Sequence, residues 1–164
     1  MTNEVAAVFL EYSDRKLVEL TKKLTACLER LNDEQVWARS AVHENAVGNL
    51  VLHLCGNMRQ WIMHGVGGAT DVRTRDAEFE TTSGLGRVEL IALFTATVEE
   101  ARGMIATVSG ERLVEITHPQ ERTVSVLGAI YQVVGHVGEH VGQVVLLTKQ
   151  MVGKDLDLTI PRRR

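Results

Sequence analysis

Leu10, Leu17, Leu24 and Leu31 recur every seven residues near the start of the chain, with Leu20 and Leu28 on the turns between them. On an α-helix that spacing returns apolar side chains to one face every two turns. The segment from about Asn3 to Leu31 is therefore predicted to be a long amphipathic helix. Its other faces carry Asp14, Arg15, Lys16, Glu19, Lys22, Lys23 and Glu29, a solvated surface. Such a stripe must be buried, and three later segments repeat the pattern. From about Ala46 to His64, an arc of Val47, Val51, Leu54, Cys55, Met58, Trp61 and Ile62 predicts a second helix. Leu90, Ile91, Phe94, Val98, Ala101, Ile105 and Val108 predict a third over Arg87 to Val108, and a fourth runs from about Val124 to Val152.

Aromatic residues make up only 4% of the chain, which has two prolines and no convincing strand. Four amphipathic helices of this kind predict an all-α, four-helix bundle forming a single domain over residues 1–164. The connections carry further expectations. Asn32-Asp33 ends the first helix, with Asp33 capping a short turn through Trp37, and Ser40 or Asn45 caps the second. Gly65 to Gly86 is glycine-rich and includes RTRDAEFETTSG. A connection this long is often functional and permits a crossover, so that helices two and three need not be antiparallel neighbours. Before the fourth helix lies ERLVEITHPQER, where Pro119 blocks a helix and Val114–Ile116 suits a short extended piece. Lys154 to Arg164 is a polar tail in which Pro161 excludes a helix.

A formal charge of −3 and a pI near 6.1 offer no general attraction to nucleic acid, and Arg162, Arg163 and Arg164 are too few to change that. No stretch approaches the roughly 18 apolar residues of a membrane span. The apolar run from Val5 to Leu10 follows an acid rather than a basic region, unlike a signal peptide. Cys27 and Cys55 fall inside amphipathic helices and read as buried free thiols. The expectation is a cytoplasmic protein.

The fourth helix contains the chemistry. In YQVVGHVGEHVGQVVLLTKQM, His136 and His140 stand four residues apart in apolar surroundings. On a helix the two are about 40° apart around the axis and about 6 Å apart along it, so both imidazoles can address one cation. Buried histidines bonded to backbone explain the pair equally well. A third ligand has to come from elsewhere, and His53 is the best placed, in the polar row Asn49, His53, Asn57, Gln60 and His64 of the second helix. The same row also reads as a water-facing surface. His43, His64 and His118 lie at helix ends or in linkers and read as exposed. Three neutral imidazoles suit zinc, nickel or another first-row divalent ion and leave a position open to water or substrate. Glu139 is a candidate base, or simply a surface carboxylate. Gly128, Gly135 and Gly142 recur every seven residues on a neighbouring row. They suggest a close backbone approach, either a seam inside the bundle or a homodimer interface.

NLVLHLCGNMRQWI with His53, the loop run RTRDAEFE, and GHVGEHVGQVVLLTK with His136 and His140 together resemble the DinB/YfiT-like superfamily of small bacterial metal-binding proteins. The resemblance covers most of the chain from the second helix onward. It implies an up-down-down-up bundle, usually dimeric, with His53, His136 and His140 holding nickel, zinc or a similar ion. It further implies a metal-dependent transferase that activates a low-molecular-weight thiol or water against a small electrophilic substrate. The alternative is a non-catalytic metal- or ligand-binding protein related to stress. Arg73 and Arg75 are candidate substrate-binding residues, because a guanidinium fork suits carboxylates. Local pairing of Arg75, Asp76 and Glu78, with Phe79 as an apolar anchor, is the competing role.

Overall fold

The computed structural model describes residues 3–158, so Pro161 and the terminal Arg162, Arg163 and Arg164 lie outside the described residues. Helix α1 (Asn3–Leu28) carries the leucine stripe inward, and Leu17, Leu24 and Leu28 are fully buried. Helix α2 (Val47–Met58) continues without a break into a π turn, Arg59–His64. Helices α4 (Arg87–Ala106) and α5 (Val126–Val152) complete the long elements. α1 packs on α5 and α4, and α2 packs on the same two helices. Leu50, Leu54, Phe94 and Ile130 fill the space between them.

Several termini are fixed by local hydrogen bonds. Ser125 caps α5 by accepting from the Gly128 amide at 3.0 Å, and Gly153 ends that helix in the left-handed conformation at φ 68°. Asp33 does not cap the turn that follows α1. Its Oδ1 accepts from the Arg87 amide at 2.8 Å, tying the start of α4 to the end of α1, while Asn32 Oδ1 holds the 3₁₀ turn Gln35–Trp37. Neither Ser40 nor Asn45 caps α2; instead Asn49 Oδ1 accepts from the Ala46 amide at 3.0 Å.

Three other expectations need correction. The chain is mostly helical but not wholly so, because Ile116–Thr117 (β1) pairs antiparallel with Val124–Ser125 (β2), two residues in each strand. The crossover contains a further helix, α3 (Arg75–Glu80), and α2 ends in wide turns in which the Gly65 amide reaches Gln60 O, five residues back. Among the described residues the glycine row of α5 meets no neighbouring backbone, so it is not a seam inside the bundle. A Cβ added at Gly135 or Gly142 would touch nothing within 4 Å, and at Gly128 the nearest atom is the capping Ser125 Oγ at 3.2 Å. The row is an open strip beside the exposed Tyr131 and Leu146. No described helix is long and apolar enough to cross a membrane.

Candidate metal centre

His136 and His140 project from one face of α5 toward α2, where His53 meets them. The ring centroids lie 4.4 Å apart for His136 and His140, and 5.0 and 5.1 Å from His53 to each. One ring nitrogen from each residue falls within 4.8 Å of the other two, an arrangement that can hold a metal ion. His53 is only 6% exposed, whereas the other two are half-buried, so the cluster is covered on the α2 side and accessible on the α5 side.

The donor atoms suit a cation. His53 Nδ1 lies 2.9 Å from Glu78 Oε2, which can only accept, and 3.1 Å from Arg73 Nη2, which can only donate. Arg73 Nη2 already donates to Glu78 Oε2 at 2.8 Å, so the shorter carboxylate contact assigns the proton to Nδ1 and leaves the Nε2 lone pair facing the other rings, 2.9 Å from His136 Nε2. The His140 Nδ1–H donates to Gln143 Oε1 at 2.7 Å and leaves its Nε2 free in the same way. Outer acceptors of this kind fix a histidine's tautomer and raise its basicity as a ligand. His136 has the weakest support, since Glu139 Oε2 stands 3.8 Å from its Nδ1 on a side chain that is 77% exposed. A base in that position is mostly solvated.

Electrostatics act in the same direction. Burial first, then the neighbouring His140, His53, Arg73 and Arg75, hold the His136 imidazolium far below its ordinary range, at about 4. Burial also lowers His140, with its bond to Gln143 opposing. Both rings are therefore neutral near pH 7, the form in which imidazole binds metals. Between pH about 6.5 and 4 the unfolded chain binds a proton at His136 that the folded chain refuses, so metal-free protein should lose stability as pH falls through that window. Denaturant midpoints at pH 7 and pH about 4.5 check this. The decrease should be smaller in His136→Gln.

Glu78 was legible in the sequence only as a local partner for Arg75. The structure pairs it with Arg73 instead, and with His53. Burial alone would raise the Glu78 carboxyl, but the hydrogen bonds from Arg73 and His53 outweigh it and hold the group below its usual value. Arg73 Nε and Nη2 donate to the two carboxylate oxygens at 2.7 and 2.8 Å, and its Nη1 donates to Gln60 Oε1 at 2.9 Å. The Arg73 side chain is only 3% exposed. Arg75 remains exposed, its guanidinium 4.9 Å from the Phe79 ring, which itself lies 4.7 Å from His53. Gly56 leaves room for this assembly: a Cβ there would collide with Glu78 Oε1 and come within 2.8 Å of its Cδ. Beyond the Arg73–Glu78 pair, a cavity of about 930 Å³ opens between α2, α4 and the crossover, with Cys55, Met63 and Met104 in its wall and none of the three histidines. Burial pushes the Cys55 thiol up to about 11, so it is no nucleophile near neutral pH.

The sequence matches the family described as "Protein of unknown function (DUF1572)" over residues 4–164. The chain belongs to that family. Solved structures extend the comparison from DUF1572 to fold. A conserved protein from Enterococcus faecalis superposes with a TM-score of 0.72 at 13% identity, covering 88% of this chain and 97% of its own. A DinB-like protein from Bacillus cereus gives 0.69 at 18% identity, covering 94% and 97%. Another DinB-like protein, from Bacillus subtilis, gives 0.69 at 14%, covering 93% and 99%. No curated protein matches the chain. This DUF1572 member has a DinB-like fold.

Proposed function

We propose that this protein is a metal-dependent transferase in which His53, His136 and His140 hold a divalent cation, nickel or zinc. The supporting observation is that three imidazoles converge from two helices, with the Nδ1 of two of them held by side-chain acceptors. A cation there would act as a Lewis acid, making a coordinated low-molecular-weight thiol or water nucleophilic near neutral pH against a small electrophile. Arg75, exposed beside the cluster, suits an acidic group of that substrate or thiol; Arg73 could join it only by giving up Glu78. Asn57 Oδ1, one turn along α2 from His53, is buried with no hydrogen-bond partner among the described residues and is available to a guest. In this reading the long helices form an up-down-down-up four-helix bundle. Two copies meet along the open strip of Gly135 and Gly142, and the buried free Cys27 and Cys55 suit the cytoplasm.

A non-catalytic metal-binding role is favoured by one observation. Among the described carboxylates near the cluster, Glu78 is already committed and Glu139 is mostly solvated. Two measurements decide. Zinc or nickel at 100 times its Kd should stabilise metal-free protein by about 2.7 kcal/mol in thermal melts, an effect that chelator reverses. An unchanged melting temperature would remove the metal reading. Metal-loaded protein should then conjugate a thiol to an aryl halide; metal binding without conjugation would leave the non-catalytic role.

A further inference from the structure

The crossover helix α3 touches the candidate metal centre at the one ligand that α5 does not supply. Two faces of His53 are occupied by it: Glu78 accepts from Nδ1, and Phe79 lies against the ring. The attachment of α3 to the rest of the molecule is mostly polar. Asn49 Nδ2 donates to Glu78 O at 2.9 Å and Thr81 O at 2.7 Å, and Arg39 Nη2 donates to Phe79 O at 3.1 Å and Thr81 O at 2.9 Å. Arg75, Asp76, Ala77 and Glu80 face solvent, and the cavity borders Glu78 on the side away from His53. The hydrogen bonds that hold α3 are buried or half-buried and the helix adds little apolar surface, so its docking depends on this one set of polar contacts, which form or break together.

We propose that Glu78 is the positioning residue of the metal centre: by accepting from His53 Nδ1 it fixes the tautomer whose Nε2 lone pair faces His136 and His140, so that metal binding and docking of α3 are one coupled equilibrium. The inference rests on the metal reading above. With Glu78 docked, the His53 proton is held at Nδ1 and Nε2 is ready to bind. With α3 undocked, the proton exchanges between both nitrogens and the ring loses two of the contacts that orient it. By linkage, whatever favours the docked helix must tighten the metal, and the metal must in turn hold the helix down. Gly56 belongs to the same device, because a Cβ there would displace the Glu78 carboxylate from its present position.

The test uses the full chain as wild type, Glu78→Gln and Gly56→Ala, with zinc as the probe. Nitrogen-15 shifts of metal-free wild type should report His53 protonated at Nδ1, moving toward a tautomer mixture in both variants. The Kd for zinc, from competition with a chelating dye, should rise about 10- to 100-fold in each. Zinc should slow amide exchange over residues 75–81 in wild type, and much less in Glu78→Gln. Gly56→Ala keeps the carboxylate and only displaces it, which separates position from charge. Failure of the wild type to bind zinc would overturn the metal reading beneath the proposal, whereas wild-type zinc affinity in Glu78→Gln, or a His53 proton at Nε2 in the wild type, would overturn the role of Glu78 alone.

Discussion

Replacing His136 with alanine should abolish stoichiometric metal binding while leaving the fold intact. The loss should exceed about 100-fold in zinc or nickel affinity, above the 10- to 100-fold typical of an outer partner, because a ligand and not its support is removed. Metal-free His136→Ala should be no less stable than wild type in mildly acidic buffer, since the ring that resists protonation is gone. Metal analysis after purification without chelators, together with denaturation at pH 7 and pH about 5, reads both effects. Full metal content in the variant would show that another set of ligands is in use.

Phe94→Ala should do the opposite, lowering stability by about 3–5 kcal/mol with little change in metal affinity. Phe94 is fully buried on α4, which packs against α1 and α2, whereas the histidine cluster is formed between α2 and α5 with support from α3. Its removal opens a void in the shared core that the surrounding leucines can fill only in part. Urea denaturation of the metal-free protein measures the first quantity and dye competition the second. A parallel fall in both would mean that the cluster depends on core packing more closely than its contacts indicate.

These contrasts also explain what could be read from the chain. The long helices were visible because their apolar residues repeat at the period of the structure they form, as Leu17, Leu24, Phe94 and Val98 do. His136 and His140 fell on one face for the same reason, and His53 stood out as the histidine in the middle of the second helix, with His64 of the same polar row left at its end. Glu78 gave no such signal. Its partners lie across a loop, and no periodicity connects position 78 to position 53. The π turn was hidden because Arg59 to His64 continue an ordinary helical pattern; the constraint at that end lies in the space around Gly65, where an added Cβ would come within 2.6 Å of Trp61 O and 2.9 Å of the Pro119 ring. The glycines of α5 are a different case. Their heptad spacing is real, but among the described residues Gly135 and Gly142 border open space, which removes the seam inside the bundle, and a pattern of small residues does not say whether a second copy covers them.

The contact between the Nε2 atoms of His53 and His136 joins positions 83 residues apart in sequence. Closing a loop of that length costs about 4 kcal/mol of chain entropy, and in a disordered chain only His136 and His140 are neighbours in sequence. The third ligand is brought to them by packing of the helices, unlike a zinc finger, whose ligands lie close together in sequence. The three-histidine site is therefore complete only after the last long helix has been synthesised and packed. Fragments ending before α5 should collect no ion, and during translation the growing chain stays metal-blind until its final quarter emerges.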